Sequence, residues 1–186
     1  NPEYYLNYAY AYSDKATVML EGTDNLSQKE YMAVKKQSDE VLKLMHRRYS
    51  RDLFAHKIGL IKQLMPDAFI GVDVMVGCRG ETPECFDDSY AFLDSLPVTQ
   101  LHVFPYSERR GTAALRINYV VADNVKKERV HKLLKLSDEK TLDFYARHIG
   151  KEAEVLFEKS AHGKAMHGFT RNYIRVELPP SDDNDR

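Results

Sequence analysis

The sequence predicts an α/β fold built from repeating helix and strand units with parallel strands. Residues 69–76 form an apolar, β-branched run that ends at Gly77, and a segment with helical spacing precedes it up to Pro66. A second segment with helical spacing follows and ends at Pro97, and residues 98–104 then alternate in polarity as a second strand. Repeats of this order are typical of barrels and of doubly wound sheets.

The two helices have recognisable ends. Ser50 is predicted to cap a helix that continues to about Met65, and a shorter helix is expected to begin at Ser38. Thr82 is predicted to cap the next helix, with Pro83 at its first position. Its buried face would carry apolar side chains at helical spacing, namely Phe86, Tyr90, Leu93 and Leu96.

The last third of the chain changes from helical to β character. Residues 123–148 are predicted to form one long amphipathic helix or a pair of helices, with a kink or second start near Ser137 and an end at Gly150. Residues 152–159 and 170–178 then alternate in polarity, which predicts the strands of a small separate module.

Composition narrows the class of protein. The 186 residues suit one domain with a small appendage, and 43% hydrophobic residues are enough for a core. A formal net charge of -1 excludes strong attraction of the whole chain to nucleic acid or membrane. No apolar run approaches the roughly 20 residues of a membrane span, so a soluble, cytoplasmic protein is expected. Cys78 and Cys85 are too few for a disulfide framework and are interpreted as free thiols.

Asp73 interrupts the apolar strand 69–76 and is the first candidate site residue. An unpaired buried carboxylate costs several kcal/mol, so Asp73 is expected to have a partner. Spacing alone favours a core aspartate hydrogen-bonded to backbone, whereas the glycines that follow favour a ligand contact, because glycine lets backbone approach a ligand closely. His102, between apolar neighbours in the second strand, is expected to be a satisfied core histidine.

Two arginine pairs are further candidates. Arg47 and Arg48 lie between two predicted helices, where they are either a solvated corner or a clamp for a carboxylate or phosphate. Arg109, Arg110 and Thr112 follow the carboxyl end of the second strand, which is where barrel enzymes build their sites. Their position, more than their residue type, makes them candidates.

The β module is locally basic. Six Lys or Arg lie between Arg147 and Arg175 against three Glu, and Phe169 and Tyr173 are aromatic residues within this stretch. Such a surface suits RNA, through a basic groove and base stacking, and the alternative is a solvated hairpin. The head contributes no recognisable chemistry, although residues 1–12 hold five tyrosines.

Four strings, in this order and spacing, resemble the radical-SAM tRNA methylthiotransferases, and most of all the type that acts on threonylcarbamoyladenosine beside the anticodon. The strings are QSDEVLKLMHRRYS, PDAFIGVDVMVGCRGET, LHVFPYSERRGTAAL, and IGKEAEVLFE with HGFTRNYIRVELP. Each string alone is a weak signal, but four in order identify the family. The resemblance covers about residues 37–179.

The resemblance implies a domain order and a reaction. Residues 37–149 would be the second half of a partial TIM-type radical-SAM barrel, and residues 150–180 a truncated TRAM-like module that binds tRNA. Residues 1–36 remain an unassigned head, and residues 181–186 a disordered acidic tail. Enzymes of this family cleave S-adenosylmethionine reductively at a 4Fe-4S cluster and insert a methylated sulfur at C2 of the adenine, and the cofactors carry the radical chemistry.

The resemblance also implies roles for individual residues. Asp73 matches an acid beside the ribose of the bound nucleoside, and Arg47 matches a basic residue near the same ligand. The turn from Gly77 to Glu81 matches the one that flanks the adenine. In the loop after the second strand Arg109, Gly111 and Thr112 match the family's arginine-glycine-threonine sequence at the barrel mouth.

The TRAM-like module carries its own assignments. Gly168, Thr170, Asn172 and Tyr173 match the signature G-x-T-x-N-Y of that module. Together with the loop after the second strand, they give the predicted RNA-binding set, which comprises Arg109, Thr112, Arg171, Asn172, Tyr173 and Arg175.

One feature of the family is missing from this sequence. The cluster ligands of the family form a C-x-x-x-C-x-x-C triplet, and neither Cys78 nor Cys85 belongs to one. The chain is therefore expected to be a C-terminal fragment that is inactive alone, with open sheet edges that favour self-association. The alternative is a non-catalytic remnant that binds RNA weakly through the TRAM-like module.

Overall fold

A computed structural model describes residues 42, 50–158 and 164–179. Its elements are α1 (Arg51–Leu64), β1 (Gly71–Val76), α2 (Pro83–Ser95), β2 (Gln100–Pro105), a 3₁₀ turn (Ala113–Arg116), α3 (Asp123–Ala146), β3 (Val155–Phe157), β4 (Met166–Thr170) and β5 (Arg175–Leu178). The head, Ser38, Arg47 and the acidic tail lie outside the described residues. Of the helix expected from Ser38, residue 42 is described and is helical. None of the helices in the described ranges has the length and hydropathy needed to cross a bilayer.

The fold is mixed α/β, as predicted. β1 and β2 form a two-stranded parallel sheet, and β3, β4 and β5 form a three-stranded antiparallel sheet in that order. Across the described part of the chain these strands do not close into a barrel. The parallel sheet lies within residues 71–105, and the antiparallel sheet lies within residues 155–178.

The helix caps confirm the predicted starts of α1 and α2. The Ser50 hydroxyl accepts a hydrogen bond from the Leu53 N–H at 3.3 Å, and α1 follows directly. The Thr82 hydroxyl accepts from the Cys85 N–H at 3.3 Å, with Pro83 at the first helical position. Each cap satisfies one of the backbone donors that a helix start leaves without an intrahelical partner.

The core lies between one face of the parallel sheet and the helices. β1 alternates, so that Val72, Val74 and Val76 point inward, and Leu101 does the same in β2. Thr99, fully buried just before β2, accepts from the Ile70 N–H at 3.2 Å and ties the starts of the two strands together. The helices complete the core with buried residues, which include Ile58, Phe86, Leu93, Leu133 and Leu136.

The opposite face of the parallel sheet is exposed, and this corrects two expectations. Asp73 and His102 both lie on this face and are exposed, so Asp73 is not a core acid and His102 is not a core histidine. Burial was expected because the sequence neighbours of Asp73 and His102 on both sides are apolar. Alternate residues of a strand point to opposite faces, and the helices of the described ranges pack against one face of this sheet.

α3 is one continuous helix, so the second start expected near Ser137 is wrong. The Ser137 hydroxyl accepts from the Leu101 N–H at 2.9 Å and donates to the Leu101 carbonyl at 3.2 Å. Thr141, one turn later, donates to the Thr99 carbonyl at 3.1 Å. These polar residues interrupt the apolar stripe because they face the backbone of the β2 edge. The helix therefore covers part of an edge that was expected to be open.

The β module differs from prediction in one strand. Residues 170–178 are not a single strand, because a turn separates β4 from β5. The Thr170 hydroxyl accepts from the Ile174 N–H at 2.9 Å, and Tyr173 adopts a left-handed φ of 62° within this turn. Before the module, α3 ends at Ala146, and Gly150, with φ 81°, completes the turns that follow.

Candidate functional site

The candidate site is the exposed face of the parallel sheet together with the loops that follow β1 and β2. We call this face, formed by Asp73, Met75, His102 and Phe104, the open face. Asp73 lies opposite His102 across the two strands, and Met75 lies opposite Phe104. Met75 is 47% exposed and Phe104 is 52% exposed. A polar row and an apolar row thus lie side by side, with the apolar row nearer the carboxyl ends of the strands.

The turn after β1 requires its glycines, as predicted. Gly77 has φ 79° and Gly80 has φ 85°, a region that residues with a side chain rarely adopt. At Gly77 space is also short, since an added Cβ would lie 2.5 Å from Cγ of Lys126. Both the backbone conformation and the short space therefore favour glycine here, and the backbone of the turn lies at the carboxyl edge of the sheet.

Glu81 shapes this turn from inside the protein. Both of its carboxylate oxygens lie 3.0 Å from the Gly77 N–H, and Arg129 of α3 donates to Oε1 at 2.6 Å. Arg129, which is 4% exposed, also donates to the Glu81 carbonyl at 3.0 Å. Burial raises the pKa of the Glu81 carboxyl, and the hydrogen bonds from Gly77 and Arg129 oppose this rise. The Glu81 carboxylate is thus fully hydrogen-bonded within the protein. The predicted cofactor contact at this turn would therefore use backbone groups from Gly77 to Glu81.

The loop after β2 holds the predicted arginine-glycine-threonine sequence. Arg109 and Thr112 are both exposed, at the carboxyl end of the strand as expected. The Thr112 hydroxyl donates to the Arg109 carbonyl at 2.9 Å, and Gly111 between them has a left-handed φ of 81°. The Arg109 side chain is therefore presented outward by a tight turn.

Arg79 joins the two loops, and sequence reasoning missed it. Its Nε donates to Glu108 at 2.6 Å, and its Nη1 donates to the carbonyls of Leu115 and Ile117 at 2.9 and 3.1 Å. Its neighbour Gly80 donates from its N–H to the Tyr119 carbonyl at 2.9 Å. The partners of Arg79 are 29 to 38 residues away in sequence, so no local pattern identifies them.

The antiparallel sheet also has an exposed row of side chains. Leu156, Phe169 and Arg175 are cross-strand neighbours on its outer face, with Leu156 82% and Phe169 42% exposed. Arg171 lies in the following turn, where an exposed ion pair at 2.6 Å joins it to Glu154. Three of the predicted RNA-binding features, the aromatic ring and two arginines, therefore share one surface.

Asn172 and Tyr173 face the other way and hold the module to the rest of the chain. The Asn172 amide nitrogen donates to the Asp67 carbonyl at 3.1 Å and lies 3.1 Å from Nε2 of His148. Its amide oxygen accepts from the Thr170 hydroxyl at 2.7 Å. The Tyr173 ring lies 6.3 Å from the Phe69 ring, centroid to centroid, and stays 43% exposed. The Asn172 amide is occupied within the chain, and its contact with RNA stays a prediction.

The described residues do not supply a ligand set for an iron-sulfur cluster. Cys78 and Cys85 are both buried, and no disulfide joins them, as predicted. In the ranges that the structure covers, no group of three or more His, Cys, Asp or Glu side chains is arranged to hold a metal ion. A 4Fe-4S cluster with an open iron site needs three thiolates, so the residues present do not fit one.

Comparison with curated proteins identifies the relatives of this chain. It is 33% identical over 175 residues to the threonylcarbamoyladenosine tRNA methylthiotransferase MtaB of Bacillus subtilis. This alignment covers 92% of this chain and 39% of that protein. It is 33% identical over 147 residues to MtaB of Aquifex aeolicus, which covers 79% of this chain and 35% of the relative.

A related enzyme matches over a similar span. The tRNA-2-methylthio-N(6)-dimethylallyladenosine synthase of Desulfitobacterium hafniense is 30% identical over 169 residues, covering 90% of this chain and 38% of that protein. No family model matches the chain. The chain spans less than two fifths of the length of these relatives. Over most of its length it is homologous to the radical-SAM tRNA methylthiotransferase family, of the MtaB-like type.

Proposed function

We propose that this chain is the part of a tRNA methylthiotransferase that holds the adenosyl half of S-adenosylmethionine and contacts tRNA. The parent reaction would add a methylthio group to threonylcarbamoyladenosine in tRNA, as the name of MtaB indicates, and the family resemblance places the group at C2 of the adenine beside the anticodon. The observation that carries the proposal is the open face. The loops after β1 and β2, which the Arg79–Glu108 ion pair joins, border this face at the carboxyl ends of the two strands. Ligands of open α/β sheets bind at this edge.

The open face fits the adenosyl half of the cofactor. The exposed Asp73 carboxylate can accept hydrogen bonds from ribose hydroxyls, and the exposed Met75 and Phe104 offer an apolar surface to a base. The glycine turn at Gly77 lets backbone N–H and C=O groups come close to the base edge. Arg47 is proposed as a further contact to the same ligand, on the family resemblance alone.

The chain does not fit the cluster half of the site. With two cysteines in the sequence, both buried in the described structure, three thiolate ligands are not at hand. We therefore derive no step of the radical chemistry from these residues. The residues present would bind and orient the adenosyl half of the cofactor. We propose that the cluster ligands come from a region equivalent to the part of the relatives that this chain does not match.

Replacing Asp73 by Asn is expected to weaken binding of S-adenosylmethionine to the chain about tenfold or more. The reason is that a hydrogen bond to a charged acceptor contributes about 1.5–3 kcal/mol, and the amide keeps only part of it. Isothermal titration calorimetry on the wild type and on Asp73→Asn measures the difference. Asp138→Asn, an exposed acid of α3, is the matched control. Equal affinity for all three proteins would contradict the assignment.

A second candidate function is RNA binding without catalysis. Leu156, Phe169 and Arg175 form a continuous exposed row across three strands, and Arg171 borders it. An aromatic ring next to cations is the arrangement on which single-stranded bases stack while phosphates are neutralised. This function requires neither the cluster nor the open face, and it is compatible with the first.

We expect tRNA affinity to fall with rising salt, and to fall about tenfold in Phe169→Ala because a stacked base contributes about 1–3 kcal/mol. Arg175→Ala should lower both the affinity and the slope of log affinity against log salt, by roughly one phosphate contact. Fluorescence anisotropy with a labelled anticodon stem-loop measures both quantities. Lys135→Ala, an exposed lysine of α3, should leave them unchanged. If affinity were independent of salt, or the Lys135 variant behaved like Arg175→Ala, this surface would not be the binding site.

A further inference from the structure

We propose that His102 is a specificity-determining residue of the open face, which together with Asp73 recognises a nucleoside ribose whose two hydroxyls are free. This inference rests on the proposed function and adds a residue to the same site. Neither the composition nor the family resemblance assigned a ligand contact to His102. The structure places it beside Asp73 on the exposed side of the sheet.

The register of the two strands brings the carboxylate and the imidazole together. Asp73 and His102 are direct partners across parallel strands, which lie about 4.8 Å apart. Both side chains are exposed. Both groups are therefore open to solvent on the same face, where a ligand with two polar groups can reach both.

Gly71 makes the space that the imidazole occupies. A Cβ added at Gly71 would lie 3.3 Å from Nε2 and 3.6 Å from Cδ2 of His102. The histidine ring therefore lies over the glycine, with no side chain beneath it to lift it away from the sheet. The backbone φ of Gly71 is not in the left-handed region, so the missing side chain, and not the backbone conformation, is what matters here.

The donors and acceptors of this pair match a vicinal diol. A carboxylate only accepts, whereas a neutral imidazole offers one donor and one acceptor. Two adjacent hydroxyls can both donate to Asp73 while one of them also accepts from the His102 N–H. A phosphate is a poor fit because the Asp73 carboxylate would repel it. A metal ion is a poor fit because the described residues offer no third ligand at this place.

The apolar row selects a nucleoside over a simple sugar. Met75 and Phe104, both about half exposed, lie one cross-strand pair closer to the carboxyl ends than Asp73 and His102. A ribose on the polar row would thus place its base against the aromatic ring and the thioether, and toward the Gly77 turn. Stacking of a base on an aromatic ring adds to the affinity, so a ligand with a base uses the whole face.

The test compares adenosine ligands that differ only in their hydroxyls. Calorimetric titrations of the full chain would use S-adenosylhomocysteine and its 2′-deoxy and 3′-deoxy counterparts. We expect His102→Ala to weaken S-adenosylhomocysteine about tenfold, the size of one hydrogen bond. The wild type is expected to prefer S-adenosylhomocysteine over each deoxy ligand, and His102→Ala should abolish this preference for one of the two. Gly71→Ala, which displaces the ring without removing it, should lose part of the same preference.

A matched control separates recognition from folding. His131 is an exposed histidine of α3, and His131→Ala should change neither affinity nor hydroxyl preference. The thermal unfolding midpoint of His102→Ala, Gly71→Ala and His131→Ala should equal that of the wild type if these substitutions act on ligand binding and not on the fold. A His102→Ala variant that keeps the affinity and the hydroxyl preference, while Asp73→Asn loses binding, would overturn this inference and leave the proposed function intact. Failure of the wild type to bind any of the adenosyl ligands would overturn both.

Discussion

Replacing Arg129 by methionine will destabilise the protein by about 3–5 kcal/mol, the usual cost of leaving one partner of a buried ion pair alone. Arg129 is 4% exposed, and it donates to both the carboxylate and the carbonyl of Glu81. Without the guanidinium, the Glu81 carboxylate remains in a buried turn with the Gly77 N–H as its main donor. Urea unfolding followed by circular dichroism measures the change.

The cost should depend on pH in a defined direction. The pKa of Glu81 lies above its ordinary value of 4.5 because of burial, and Arg129 opposes that rise. A carboxyl whose pKa is raised in the folded state loses stability as pH increases above 4.5 toward the folded pKa. In Arg129→Met the pKa rises further, so the loss of stability relative to wild type should be larger at pH 7 than at pH 5. A loss that is independent of pH would contradict this account.

An exposed ion pair on the same helix is the control. Lys132 lies 3.1 Å from Glu128, and both side chains are more than half exposed. Exposed pairs of this kind contribute at most about 0.5 kcal/mol. Lys132→Met should therefore leave the unfolding curve nearly unchanged. A comparable loss in both variants would mean that the effect comes from helix propensity or charge and not from the buried pair.

Phe144→Ala will destabilise the protein by about 3–5 kcal/mol, the range for truncating a buried phenylalanine. Phe144 is 1% exposed, and its ring contacts Phe69 edge to face at 5.5 Å and His148 at 4.6 Å, centroid to centroid. Phe69 in turn contacts Tyr173 of the β module, so the cavity would loosen the junction between the two sheets. Chemical unfolding measures the total loss, and hydrogen exchange of β4 amides reports on the module.

The neighbouring Leu142 serves as its control. This residue lies on the same helix but is 66% exposed, so its truncation removes little buried area. Leu142→Ala should change the free energy of unfolding by less than about 0.5 kcal/mol. If Phe144→Ala cost no more than this, the ring would not be part of the core. Unchanged exchange of β4 amides would show instead that the module is held by contacts other than those of the Phe144 and Phe69 rings.

Local chemistry made part of this structure predictable. The Ser50 and Thr82 caps, the Pro83 start and the glycine turn after β1 were correct because each depends on residues within a few positions of one another. The same holds for the position of the loop at Arg109 to Thr112, which follows its strand directly. The family was also visible, since the order of four strings survives at about a third identity.

Long-range contacts decided what these patterns left open. The sequence predicts a kink or second start of the helix near Ser137, whereas this side chain bonds the edge of β2, 36 residues away. The Glu81 to Arg129 pair spans 48 residues, and Arg79 reaches across the two loops. None of these partners has a sequence spacing that indicates contact, because the pairs form only when helices and strands pack together.

By itself the sequence determined the order of elements, the helix ends, the glycine turns and the family. Only the tertiary structure decided which side of the parallel sheet is covered. Asp73 and His102 have apolar neighbours in sequence, and alternation along a strand cannot say whether one face or both are buried. The helices of the described chain cover one face, so these two residues lie together on the other. That placement is the physical basis for the ligand site proposed above.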